Sequence, residues 1–281
     1  MNYRIENEYL TCEISDAGAE LQSLISKENG KEYIWQGNPD IWHGRAPVLF
    51  PFIGQLNGFR YFYNGTEYNM PKHGFARNMT FMPCRISGSE ISFYIENNEE
   101  TLKKYPFEFK LTVNFSLSGR ALINTISVEN KSDKTMYFSP GAHPAFNCKP
   151  GDTIEFEKPE TVGTERIGKD NLLLSEKFPL LENESTITIT KEIFEPDALI
   201  ISGLQSEKLL LKGENVIEFT FGKCPVLGIW AKPGAPYVCI EPWYGINDTP
   251  EVKKDVSEKR EIRSLESGKE FSFSWKAEII S

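Results

Sequence analysis

Cysteine is scarce in this sequence of 281 residues, and its distribution excludes two common uses. The number is odd, the positions are far apart, and no CxxC pair occurs: Cys12, Cys84, Cys148, Cys224 and Cys239. A disulfide framework needs paired cysteines, and a zinc site of cysteines needs close ligand spacing. We therefore predict free thiols that are buried as small apolar side chains.

Long apolar runs and excess positive charge are also missing. No stretch approaches the ~18 apolar residues of a membrane span, and the start MNYRIENEYLTCEIS lacks the basic and apolar regions of a signal peptide. With 31 Lys and Arg against 40 Asp and Glu, the net charge is -9. Such a chain is a poor partner for nucleic acid or anionic membranes. We expect a cytoplasmic protein whose partners are neutral or cationic.

Several catalytic motifs are absent as well. The sequence has no GxGxxG or P-loop run for phosphate binding and no GxSxG nucleophile elbow. Its three histidines form no HxH, HxxH or HExxH pair, so no local metal motif exists. Acid–base chemistry by histidine and carboxylate is the class of mechanism that remains.

Alternating apolar and polar residues dominate what is present. Residues 91–95, 111–117, 217–221 and 271–275 each place apolar side chains on one face, and Gly, Pro, Asn or Ser bounds each run. Two charged segments, 97–105 and 252–262, are predicted as short helical turns. No linker or repeat marks a boundary. The pattern predicts an all-β, mostly antiparallel fold with a few short helical turns, and a single domain over 1–281.

The three histidines all lie beside glycine or proline, which marks irregular backbone at strand ends. His43 lies in DIWHGR, His73 in PKHGFAR and His143 in GAHPAFN. Loops on a rigid scaffold commonly carry binding and catalytic groups. A surface or structural hydrogen bond is the alternative interpretation for each histidine taken alone.

Glu241 is the carboxylate that stands out, because it follows the apolar run YVCI and precedes Pro242. Proline does not continue a central ladder, so we predict Glu241 at a strand end. A buried ion pair or a turn acceptor is the alternative. Trp243 and Tyr244 next to it have faces that suit the apolar side of a sugar, although interior aromatics would look the same in sequence.

Four motifs in order, HGFAR, GAHPAFN, DALIISGL and IEPWYGIND, resemble those of the aldose 1-epimerase (galactose mutarotase-like) superfamily. With APVLFPFIG ahead of them, the chain is most similar to the shorter, bacterial LacX-like branch. The resemblance spans nearly the whole chain. It implies a β-supersandwich with an open groove, a cytoplasmic isomerase acting on a small aldose sugar, and no metal or organic cofactor.

The resemblance also implies roles for individual residues. Mutarotation removes the proton of the sugar O1 and delivers one to the ring oxygen O5, so the ring opens, and closure on the other carbonyl face gives the second anomer. By resemblance Glu241 is the base at O1, His143 is the acid at O5, and His73 hydrogen-bonds and polarises the sugar. Asp197 matches a position that holds sugar hydroxyls. His43 receives no role.

The arginine of the site is harder to transfer. Longer mutarotases carry an arginine on a glycine-containing turn where this chain reads GQLNG. Arg45 or Arg77 is the replacement as hydrogen-bond donor, and the sequence slightly favours Arg45, with a structural salt bridge as the alternative for either. Phe146, Asn147 and Trp243 are predicted to pack against or orient the site, and Trp243 also to contact the sugar.

Two other functions on the same fold stay open. A hexose-6-phosphate mutarotase needs a basic cluster, for which the motifs supply Lys72, Arg77 and Arg45, and the acidic composition speaks weakly against it. A carbohydrate-binding protein without catalysis would not require a matched acid and base such as His143 and Glu241. The sequence leaves open whether the chain is a monomer or a homodimer.

Overall fold

The computed structural model describes all residues from 1 to 281 and is built mainly from β-strands. In chain order, β1 to β8 are Asn2–Glu6, Leu10–Ser15, Glu20–Ser26, Val48–Leu49, Arg60–Tyr63, Thr66–Asn69, Met82–Ile86 and Glu90–Glu96. Strands β9 to β15 are Phe109–Ser118, Ala121–Asn130, Met136–Phe138, Gly141–Ala142, Ala145–Asn147, Thr153–Ile167 and Leu173–Thr188. Strands β16 to β22 are Leu199–Ser202, Lys208–Lys212, Val216–Thr220, Val226–Trp230, Tyr237–Trp243, Arg263–Leu265 and Glu270–Ile279.

One sheet of 15 strands contains most of these elements, in the order β4-β12-β20-β19-β16-β14-β17-β18-β22-β10-β9-β8-β7, with β13 on β20 and β15 on β14. Strands β1 to β3 form a smaller sheet, and β5-β6 and β11-β21 form two-stranded pairs. Every ladder between these strands is antiparallel. The predicted all-β, antiparallel architecture is confirmed.

Helical structure is sparse. The predicted turn at 97–105 is confirmed as α1, Glu99–Lys104, whose N-terminus is capped by the Asn98 side chain. The prediction at 252–262 was too long, because only the 3-10 turn Val256–Glu258 forms there. Other 3-10 turns are Asn57–Phe59, Ala76–Asn78 and Glu192–Phe194. No helix is long and apolar enough to cross a bilayer.

The alternation read from the sequence explains why the central strands form. Along β9 buried and half-buried residues alternate, and Leu111 and Val113 are fully buried. Strand β10 lies between β9 and β22 and repeats the pattern. The buried faces join a cluster of 65 core residues that draws on strands from both ends of the chain. This burial of apolar surface stabilises the sheet on which the site is built.

The site lies where β20 meets the break between β12 and β13. Gly141 pairs with Trp243 on one side of the break, and Ala145 pairs with Cys239 on the other. Continuing this register across the break sets His143 opposite Glu241. Pro144, which follows the histidine, has no N–H to donate to a ladder, and its carbonyl accepts from the backbone N–H of Ile240. Antiparallel pairing therefore brings the two residues together.

Candidate active site

His143 and Glu241 meet at the wall of a cavity of about 260 Å³. The Nε2 atom of His143 lies 3.2 Å from Oε2 of Glu241, and the glutamate is only 1% exposed. The volume lies just below the ~300–1,000 Å³ range of small-molecule sites, so the cavity suits one small ligand. An imidazole and a carboxylate in direct contact can exchange a proton with each other or with a ligand between them.

Burial shifts both groups toward their neutral forms. It raises the pKa of Glu241 well above the usual value, and the nearby Asp197 carboxylate adds to the rise, while a hydrogen bond from Trp243 opposes it. Burial also lowers the pKa of His143 to about 3, with smaller contributions from the positive charges of Arg77 and Lys72. Removing either charge from water is costly, which is the cause of both shifts. The neutral pair, with one proton between the two residues, is therefore favoured.

His73 lies beside this pair, with its ring centroid 5.8 Å from that of His143. The backbone N–H of Gly54 donates to the Nδ1 atom of the His73 ring at 3.2 Å, and the backbone N–H of His73 donates to the Gly54 carbonyl at 2.7 Å. Since Nδ1 accepts a hydrogen bond, the neutral ring carries its proton on Nε2. Burial, aided by neighbouring positive charges, holds the pKa of His73 well below its usual value. His73 is thus a neutral N–H donor at the cavity.

Two glycines, Gly74 next in sequence and Gly54 next in space, allow the backbone conformation at His73. His73 itself has a φ of 64°, and Gly74 follows with a φ of 73°. A Cβ on Gly74 would lie 2.1 Å from the Phe50 carbonyl oxygen, and a Cβ on Gly54 would lie 2.1 Å from the side chain of Asn247. Both positions require glycine because of these close approaches. The glycine after His73 in the sequence PKHGFAR therefore helps to form the turn that orients the His73 ring.

Asp197 lines another part of the cavity, before strand β16. Its φ is 69°, a conformation that aspartate tolerates better than most residues. The Oδ1 atom accepts from the backbone N–H of Ala198 at 2.7 Å, and Arg166 donates to the Asp197 carbonyl at 3.0 Å. The carboxylate is held in place by local bonds and still has acceptor capacity for a ligand hydroxyl.

Three tryptophans, with Ile167 and Ala198, form the apolar part of the wall. Trp42 stacks on His143, with ring centroids 5.2 Å apart, and packs edge-on against Trp230. Trp243 donates from Nε1 to Glu241 Oε2 at 3.1 Å. This hydrogen bond orients the glutamate. Trp42 and Trp230 are half-buried and offer ring faces to a ligand.

The structure separates the two candidate arginines. The Arg45 guanidinium donates to the Gln22 carbonyl, to Gln22 Oε1 and to the Gln36 carbonyl, and Arg45 does not line the cavity. Arg77 lines it, together with Lys72. The slight preference for Arg45 is therefore corrected, because its donors are already bonded to the segments around it.

Several residues of the cavity wall are not marked by the sequence. Trp42, Trp230, Ile167 and Asn247 line the cavity without having been singled out, and so does the unassigned His43. Nothing in their local sequence distinguishes the tryptophans from core aromatics.

Phe146, Asn147 and Tyr244 lie outside the lining. Phe146 is fully buried and packs on Phe219, so it supports the sheet. Asn147 donates to the carbonyls of Glu32 and Ile34, and Tyr244 packs on residues of β22.

One group of potential metal ligands includes the pair: His143, Cys239 and Glu241, whose ligand atoms lie within 4.8 Å of one another. Metal binding requires a thiolate, but burial raises the pKa of Cys239 well above its usual value. Glu241 Oε2 also already accepts from Trp243. This donor set fits a zinc site poorly, since such a site needs charged ligands.

Comparison with known proteins places the chain among sugar-related relatives. The sequence profile described as aldose 1-epimerase matches residues 1–217. The plasmid form of protein LacX from Lactococcus lactis subsp. lactis is 30% identical over 284 residues, covering 94% of this chain and 95% of that protein.

Two solved structures also match this chain over nearly its full length. A galactose mutarotase related enzyme from Lactobacillus acidophilus has a TM-score of 0.93 at 36% identity, covering 100% of this chain and 98% of that one. A galactose mutarotase-like protein from Lactobacillus casei ATCC 334 has a TM-score of 0.94 at 29% identity, covering 99% and 100%. The expected galactose mutarotase-like fold is confirmed.

Proposed function

The chain belongs to the aldose 1-epimerase family, and from this premise we propose that it interconverts the α and β anomers of a hexopyranose such as glucose or galactose. Membership of the family and the mutarotase-like structures support an isomerase of the mutarotase type. The choice of sugar and the roles of individual residues are part of the proposal.

The contact of 3.2 Å between His143 and Glu241 is the observation that carries it. In an aldopyranose, O1 and the ring oxygen O5 are both bonded to C1. A catalyst of ring opening must remove a proton at one of these oxygens and supply a proton at the other. Two titratable groups in direct contact are spaced for two oxygens on one carbon, whereas well-separated groups are not.

The proton count of the pair fits the same reaction. Burial disfavours both charges, so the free pair holds one proton between the two side chains. Ring opening takes one proton from O1 and gives one to O5, which leaves that count unchanged. Bulk water therefore need not supply or accept a proton during the step.

In the proposed sequence, the proton that Glu241 carries in the neutral pair first shifts to His143 across their contact, so that Glu241 acts as the base and His143 as the acid. Glu241 accepts the O1 proton as the C1–O5 bond breaks, and His143 delivers its proton to O5, which yields the open-chain aldehyde. Rotation about C1–C2 exposes the other carbonyl face. Attack of the O5 hydroxyl then closes the ring, O5 returns its proton to His143, and Glu241 protonates O1.

The remaining wall residues position the sugar. The Nε2–H of His73 is available to donate to a sugar oxygen, because Nδ1 is occupied by Gly54. Asp197 accepts from sugar hydroxyls, and the faces of Trp42 and Trp230 cover the apolar side of the ring. Both proton transfers use only side chains of this chain, so we propose catalysis without a metal or organic cofactor.

Polarimetry on freshly dissolved α-D-glucose and α-D-galactose tests the function. We expect the purified protein to accelerate the approach to anomeric equilibrium above the spontaneous rate measured in a buffer blank. Binding of aldoses without any acceleration would instead identify a carbohydrate-binding protein on the same fold.

A further inference from the structure

One buried ion pair lies next to the residues of the cavity wall. Asp248 follows the lining residue Asn247 and pairs with Lys259, and the two charged side chains are 15% and 5% exposed. Withdrawing two charges from water offsets most of the attraction between them, so a pair of this kind adds little net stability. What it can supply is a fixed geometry for the two segments that carry the charges.

Asp248 uses each of its polar groups to hold a neighbouring segment. Its Oδ2 atom accepts from the backbone N–H of Asn57 at 2.9 Å, and its own N–H donates to the Gln55 carbonyl at 3.1 Å. Its carbonyl accepts from the backbone N–H of Leu173 at 2.8 Å, and its Oδ1 atom contacts the Lys259 ammonium. The turn that contains Gln55 and Asn57 is therefore held by a residue whose side chain is itself held by Lys259.

Lys259 is well placed to act as an anchor. It follows the 3-10 turn Val256–Glu258, and its backbone N–H donates to the Val256 carbonyl at 3.2 Å. Val256 is only 1% exposed and belongs to the main core cluster. The backbone from which the ammonium reaches Asp248 is therefore fixed to the core.

The turn held by Asp248 also orients His73. Gly54 begins it, and the backbone N–H of Gly54 donates to the ring Nδ1 of His73 at 3.2 Å. The carboxamide of Asn247 packs on Gly54, where a Cβ would lie 2.1 Å from it. The proton of a neutral imidazole lies on the nitrogen that does not accept a hydrogen bond. The position of Gly54 therefore decides which nitrogen of His73 carries the proton.

We propose that Asp248 and Lys259 are positioning residues of the sugar site, whose ion pair holds the Gly54 turn so that His73 presents its Nε2–H to the cavity. The inference rests on the proposed function for the role of His73 toward a sugar. Its structural part, the control of the His73 tautomer by the ion pair, can be measured without any reaction.

Nitrogen NMR of the full-length protein with isotope-labelled histidine measures the tautomer directly. The chain has three histidines, so few ring signals are present, and the signals missing from His73→Gln identify the ring of interest. The nitrogen shifts of a neutral imidazole report which nitrogen carries the proton. Burial holds the pKa of His73 well below its usual value, so the ring is neutral near neutral pH.

The variants separate positioning from stability and from charge. Lys259→Met removes the charge, Lys259→Arg restores it, and the double variant Lys259→Met with Asp248→Asn leaves no unpaired charge if the single variant is too unstable. Leu111→Ala, in the fully buried face of β9, destabilises the core and is the matched control for stability. Lys208→Met removes a lysine from the pair with Glu218 and is the control for charge.

We expect the wild type to carry the His73 proton on Nε2 and both Met variants to show a mixture of tautomers, which Lys259→Arg largely reverses. For an aldose that the wild type converts, KM should rise about 2- to 10-fold in the Met variants, the value of one hydrogen bond, and kcat per folded molecule should change by less than about twofold. Leu111→Ala and Lys208→Met should keep the wild-type tautomer and KM.

An unchanged His73 tautomer in both Met variants would overturn the inference, and so would the same change in Leu111→Ala, because the effect would then follow from stability alone. Loss of the folded state in both Met variants would also count against it, since the pair would then be required for folding itself. A changed tautomer in a protein whose wild type accelerates no aldose would support the positioning role and refute the proposed function. Anomer exchange by the wild type with an unchanged tautomer in the variants would refute the positioning role and leave the proposed function intact.

Discussion

Replacing Glu241 with glutamine removes the proposed base and keeps the shape of a side chain that is 1% exposed. The new amide oxygen can still accept from Trp243 Nε1, which is 3.1 Å from Oε2 in the wild type. The amide cannot accept the proton of O1. We expect kcat to fall by ~10²–10⁴, the range lost with a positioned acid or base, while KM changes by less than about threefold.

The same substitution should not destabilise the protein at neutral pH. Burial raises the pKa of Glu241 in the folded state above that in the unfolded state. Such a group contributes stability that is full below the unfolded pKa and is lost as pH rises through the folded pKa. Glutamine has no charged form, so the stability of Glu241→Gln relative to the wild type should increase as pH rises from about 4.

Polarimetry and urea denaturation on the same preparations measure the two effects. Glu182→Gln is the matched control, because Glu182 is exposed and forms no ion pair; it should retain wild-type kcat and stability. Wild-type kcat in Glu241→Gln would refute the catalytic assignment. A loss of stability that accounts for the lost activity would refute the argument from burial.

Four further predictions follow from the site. In the wild type, the His143 pKa of about 3 in the folded state contributes stability that is present above pH ~6.5 and is lost as pH falls toward 3, at most about 5 kcal/mol. His143→Asn lacks this group, so its free energy of unfolding, measured in urea, should depend less on pH between about 6.5 and 3. Asp197→Asn should raise KM by about tenfold and change kcat by less than about threefold, because hydroxyl contacts form in ground and transition states alike; an unchanged KM would contradict its binding role. Gly54→Ala should cost about 1–3 kcal/mol in urea denaturation and reduce kcat, since its Cβ would meet Asn247 and displace the N–H that orients His73; wild-type kcat would speak against that role. Incubation with EDTA should leave kcat unchanged, and activity lost in EDTA but restored by zinc would point to a metal at the site.

The strands were the most predictable part of the fold. Where one face of a strand is buried, as along β9, the period-two alternation of apolar and polar residues identifies the strand from the sequence alone. The segment 252–262 was less predictable because charge alone is compatible with a helix or a loop. It has no apolar stripe to pack against the core, and only Val256–Glu258 turns.

The sequence indicated part of the cavity lining and gave no information on its geometry. His143, Glu241 and His73 lie in distinctive motifs, but their contact depends on the register between β20 and the short strands β12 and β13. Register over a long separation leaves no local sequence signal. Arg45 and Arg77 were indistinguishable for the same reason, since each follows a histidine and a glycine.

The most direct test of the central claim is a double-mutant cycle on the proton-exchanging pair. NMR exchange spectroscopy at anomeric equilibrium gives the exchange rate for the wild type, Glu241→Gln, His143→Asn and the double variant. If both residues act in one event at C1, each single variant should lose ~10²–10⁴ in rate, and the double variant should lose little more than the worse single one. Either single variant exchanging anomers at the wild-type rate would contradict the claim, as would losses that multiply fully in the double variant.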